Sequence, residues 1–75
     1  MEEKLIAIAT RIFGLNDGDV TMESTPGNTK NWDSLLHMRL ILEIEDRFNL
    51  ETDEGEITGI VDMKSLAATV AKHQR

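Results

Sequence analysis

Seventy-five residues make one domain, residues 1–75, and a core of this size is marginal without help from a metal, a disulfide or a partner. There is no Cys, which rules out disulfides and thiolate metal sites, and the two histidines, His37 and His73, lie on different predicted helices, so no metal site is expected. The net charge of −6, with seven of the 14 acids between Glu43 and Glu56 against the single base Arg47, opposes nucleic acid and favours basic protein surfaces or a plain solvated face.

The start Met1-Glu2-Glu3 is the reverse of a basic signal-peptide start, and no apolar run approaches membrane-spanning length. There is no Tyr and no sustained alternation of apolar and polar residues, so strands are not expected. The reading is a soluble, cytoplasmic, monomeric, all-α protein.

Glu2 to Phe13 reads as the first helix. Leu5, Ile8 and Ile12 recur at spacings of three and four, with Ile6, Ala9 and Phe13 alongside. Glu2 and Glu3 at the start and Arg11 near the end suit the helix dipole, and Gly14 is a natural left-handed terminator.

Leu15 to Trp32 is a long connection. Asn16 to Asp19 form one turn cluster and Pro26 to Thr29 a second, while Val20 and Met22 are expected to pin the loop to the core. Asp17-Gly18-Asp19 lacks the remaining ligand positions of a calcium loop. Trp32 has two readings, a buried anchor for the loop or part of a docking surface, and its size favours the anchor.

Ser34 to Phe48 reads as the second helix, with Asp33 as its N-cap. Leu40, Ile44 and Phe48, with Ile41, mark the buried stripe. Leu35, Leu36, Met38 and Leu42 do not all fit that stripe, so some of them face solvent or a partner. Ser34 stands at the positive end of the helix dipole, where free backbone N–H groups favour a phosphate, although serine is also common there for capping alone.

Asn49 to Glu56 reads as an acidic connection with Leu50 as a core plug. Ile57 and Ile60 suggest one short helical turn weakened by Gly55 and Gly59. Asp62 then caps a last helix from Met63 to Lys72, with Leu66, Val70 and alanines 67, 68 and 71 facing the bundle and His73 to Arg75 fraying. The architecture expected is a small four-helix bundle, three main helices and one short helix, with a long loop between the first and second.

The chain resembles the acyl carrier and peptidyl carrier proteins. The resemblance rests on Asp33-Ser34-Leu35, Trp32 before it, Phe48 closing the helix, the acidic loop, and Ile57 to Met63 before the last helix, and it spans essentially the whole chain. It implies that Ser34, between Asp33 and Leu35, carries 4′-phosphopantetheine installed by a phosphopantetheinyl transferase. Acyl or aminoacyl groups would then ride on the arm as thioesters, from a loading enzyme to a downstream synthase or transferase. The family also has a short, mobile third helix. The protein would not be an enzyme, and a serine nucleophile is disfavoured because nothing in the sequence orients His37 as its base.

Carriers of fatty-acid synthesis follow the serine with acids, whereas the first two turns here carry Leu36, His37 and Arg39. That departure, with Trp32, points to a free-standing carrier of polyketide, non-ribosomal peptide or similar pathways. No linker is visible at either end of the sequence. The candidate docking residues are Leu35, Met38, Arg39 and Leu42, rimmed by Glu45 and Asp46, although Met38 could equally be core. The alternative function is a small helical adaptor that binds a partner through the same patch with no prosthetic group.

Overall fold

A computed structural model describes residues 1–74. Four helices follow in order: α1 Glu2–Phe13, α2 Ser34–Phe48, α3 Glu54–Gly59 and α4 Met63–His73. No strand occurs among the described residues. The bundle therefore has three longer helices and one short one, with the long loop between α1 and α2, as the apolar spacing predicts.

Helix α1 ends at Gly14, whose φ of 66° is the left-handed conformation that stops a helix without a Cβ clash. A second restraint comes from far along the chain. Asn31, itself at φ 70°, donates its side-chain amide to the carbonyl of Phe13 at 2.8 Å. One of the orphan carbonyls of α1 is thus satisfied by the loop that leads into α2.

Leu5, Ile8, Ala9 and Phe13 of α1 meet Leu40, Ile41 and Ile44 of α2 and Met63, Leu66 and Val70 of α4 in one core. The loop closes it with Val20 and Trp32, and Ile60 enters after α3. Arg11 crosses from α1 to Glu43 of α2 at 3.1 Å, and Arg47 meets the same carboxylate at 2.8 Å. Both pairs are largely solvated and add little to stability.

Several expectations need correction. Phe48 is only half-buried at the end of the stripe, with the Lys4 ammonium 5.9 Å from its ring centroid. Ala68 and Ala71, expected to face the bundle, point to solvent. His73 does not fray. It belongs to α4, and its imidazole lies 2.9 Å from Glu56.

Helix α3 begins earlier than Ile57. Asp53 caps it by accepting from the Glu56 N–H, and Glu56 reaches back to the Asp53 N–H, forming a capping box. The Asp-x-x-Glu spacing of residues 53 to 56 is a sequence signal for that start. A second capping box, of Asp62 and Ser65, opens α4 as the Asp62 cap predicts. The Met63 N–H also donates to Ser24 in the long loop, tying α4 to it.

Candidate functional site

Ser34 is the first residue of α2 and is exposed. The cap hydrogen bond is made by its neighbour: Asp33, in extended backbone, accepts from the Leu36 N–H at 2.9 Å. The Ser34 hydroxyl is therefore not committed as the N-cap. It stands at the helix end where unpaired N–H groups and the dipole favour a negative oxygen. Ser34 lines a cleft of about 500 Å³ with Trp32, His37 and Met38 on one side and Ile57 and Val61 across it.

Trp32 takes the anchor role. Only 4 % of it is exposed, and its ring centroid is 5.1 Å from that of Phe13. Its indole N–H donates to Nδ1 of His37 at 3.0 Å. Nε2 of His37 lies 3.2 Å from the carbonyl oxygen of Ile57 in α3. An indole N–H can only donate and a carbonyl can only accept, so this arrangement defines the imidazole with its hydrogen on Nε2.

His37 is thus oriented after all, against the sequence reading, but away from the chemistry of a serine nucleophile. Both ring nitrogens are engaged, which leaves no lone pair to take the Ser34 proton. The sequence carries Trp32 and His37 five residues apart, but only the turn into α2 brings their rings together.

The apolar residues that miss the core stripe lie on the outer face of α2. Leu35 is 70 % exposed, Met38 41 % and Leu42 58 %, and Val61 on the far wall of the cleft is exposed as well. Met38 is therefore not a core residue. Arg39 and Asp46 are exposed beside this strip. Glu45 differs from its expected place on the rim. It is half-buried, and its carboxylate accepts from both the N–H and the hydroxyl of Thr52, at 2.8 and 2.7 Å.

No cluster of three metal-ligating side chains occurs among the described residues. No helix there is long and apolar enough to cross a membrane.

No family model matches the chain. An acyl carrier protein of Buchnera aphidicola subsp. Baizongia pistaciae (strain Bp) is 29 % identical over 73 residues, which cover 97 % of this chain and 94 % of that protein. The solution NMR structure of holo acyl carrier protein from Geobacter metallireducens superposes with a TM-score of 0.85. The match is at 28 % identity, over 96 % of this chain and 83 % of that one. In sequence and in fold the chain is thus similar to acyl carrier proteins over nearly its whole length.

Proposed function

We propose that Ser34 is the attachment point of a 4′-phosphopantetheine arm, and that the carrier presents thioester-linked acyl or aminoacyl intermediates to biosynthetic enzymes in the cytoplasm. The observation that carries this reading is the placement of Ser34: exposed, first in α2, with capping delegated to Asp33. The residues present suit such a group. Free N–H groups of the first turn of α2 favour a phosphodiester, and no acid of α2 lies in that turn to repel it. Ile57, Val61 and Met38 offer apolar surface beside it. When bound, the arm supplies a thiol on which cargo is held as a thioester.

The chain's own contribution is presentation. Tethering raises the effective concentration of cargo at whichever enzyme the protein surface docks. The strip of Leu35, Met38 and Leu42, flanked by Arg39 and Asp46, would provide the apolar anchors. The partners would be a phosphopantetheinyl transferase, a loading enzyme and a downstream synthase or transferase. Acids are absent from the first turn of α2, and Arg39 lies in the second, which favours polyketide, non-ribosomal peptide or related pathways over partners that read early acids.

Intact mass after incubation with coenzyme A and a broad-specificity transferase tests the proposal. A single added arm on the wild type and none on Ser34→Ala is the expected result. An unmodified wild type would instead favour an adaptor that uses the same apolar strip without a prosthetic group.

A further inference from the structure

Helix α3 forms the far wall of the cleft beside Ser34, yet it has no buried residue of its own. Ile57 is half-buried, and only Ile60, just past the helix, reaches the core. Hydrophobic burial alone therefore holds α3 weakly. Side-chain hydrogen bonds supply the rest, and both of the chain's histidines contribute, at adjacent residues of α3. His73 reaches the Glu56 carboxylate from the end of α4, and His37 reaches the Ile57 carbonyl from the first turn of α2.

The two contacts respond to protons in opposite ways. A proton added to His73 places a cation against a carboxylate. A proton added to His37 must go on Nδ1, which already accepts from the Trp32 indole N–H at 3.0 Å. Two N–H donors would then face each other, and the indole has no lone pair in its plane to adapt.

We infer that His37 is a positioning residue for the cleft beside Ser34: its neutral imidazole, bridging Trp32 and Ile57, latches α3 to the start of α2, and its protonation releases the latch. Of the residues that line the cleft from the long loop, α2, α3 and the α3–α4 link, Asp33 is the only other titratable one. Its carboxylate is held by the Leu36 N–H. On α3 itself Glu54 is exposed, and Glu56 is engaged by Asp53, Lys72 and His73. The packed end of α4 contributes Lys72 and His73. The consequence for the arm rests on the proposed role of Ser34, but the latch does not.

The test uses the unmodified full chain carrying His73→Gln, so that His37 is its one imidazole, and follows it from about pH 8 to about pH 5, the range in which histidines in general change charge. Imidazole nitrogen shifts are expected to show His37 with its hydrogen on Nε2 at the upper pH. As His37 protonates, the Trp32 indole proton is expected to shift in step. The exchange protection of the Ile60 amide, which donates to Glu56 within α3, should fall roughly two- to tenfold after correction for intrinsic exchange, the weight of about one hydrogen bond.

Adding His37→Gln keeps a donor and an acceptor but nothing that titrates in this range, so the pH dependence should vanish. A hydrogen on Nδ1 in the neutral form, or Ile60 protection that stays flat while His37 titrates, would overturn the inference. Transferase modification of the same sample is read separately. Its failure would remove the role of Ser34 and leave the result on the latch intact.

Discussion

Glu56 and His73 face each other between α3 and the end of α4, with Oε2 2.9 Å from Nε2. The Glu56 carboxylate also accepts the Asp53 N–H and meets the Lys72 ammonium at 3.1 Å. The backbone hydrogen bond from Asp53 is the main reason its pKa falls from 4.5 to about 2, with His73 and Lys72 adding to the shift and partial desolvation opposing it. The folded state therefore binds this proton more weakly than the unfolded one. The stabilisation is complete above 4.5 and is lost as pH falls towards about 2. Glu56→Gln should melt below the wild type at neutral pH, and the gap should close across that window. A gap that persists unchanged at the acid end would contradict this account.

Ser34→Ala should remove the proposed attachment point and leave the fold almost untouched. Asp33 makes the cap, so the change behaves as an exposed substitution, within about 0.5 kcal/mol. Asp33→Ala should cost more, about 0.5–2 kcal/mol, because it leaves the Leu36 N–H without its partner. Thermal melts of the two variants side by side decide the point; equal losses would mean that Ser34 is structural.

Leu40 is fully buried while Phe48 is half-exposed at the end of α2. Leu40→Ala should cost about 2–5 kcal/mol, a large share of a total that is about 5 kcal/mol for a domain of this size. Phe48→Ala should cost less than the roughly 3–5 kcal/mol of a fully enclosed ring. Denaturant midpoints at constant slope provide the comparison, and a Phe48 loss larger than that of Leu40 would show that the ring is more enclosed than the fold indicates.

On the proposed docking strip, Met38→Ala should slow turnover of the loaded carrier by its enzymes while stability moves by only a few tenths of a kcal/mol. Asp46→Lys should act mainly on association rate, and most strongly at low salt. Glu45→Lys is a poor probe of docking, since it would break both bonds to Thr52 and loosen the connection into α3. Stopped-flow association at two ionic strengths, paired with melting curves, separates the two effects. A sharp fall in Met38→Ala stability with unchanged turnover would remove Met38 from the docking surface.

The helices and their ends were largely legible in the sequence because the forces that set them are local. Gly14 terminates α1, and Asp33 and Asp62 cap α2 and α4, through the conformation of one residue or a hydrogen bond three residues away. The spacing of Leu40, Ile41 and Ile44 marked the buried face of α2 for the same reason: neighbours on a helix face are three or four residues apart. The start of α3 was equally local, in Asp53 and Glu56, but an acidic run looks like a solvated loop unless the capping spacing is noticed.

What the tertiary structure alone decided lies between residues far apart in the chain. Asn31 closes α1 from 18 residues away, His37 reaches Ile57 across 20, and His73 reaches Glu56 across 17. No periodicity encodes such pairs, because their approach depends on how whole helices pack around the core. The same packing turned His37 from a possible base beside Ser34 into a bridge between Trp32 and α3, and Glu45 from a rim charge into a clamp on Thr52. A polar side chain near the surface takes whichever partner the fold brings within hydrogen-bond reach, and its own sequence neighbourhood does not name that partner.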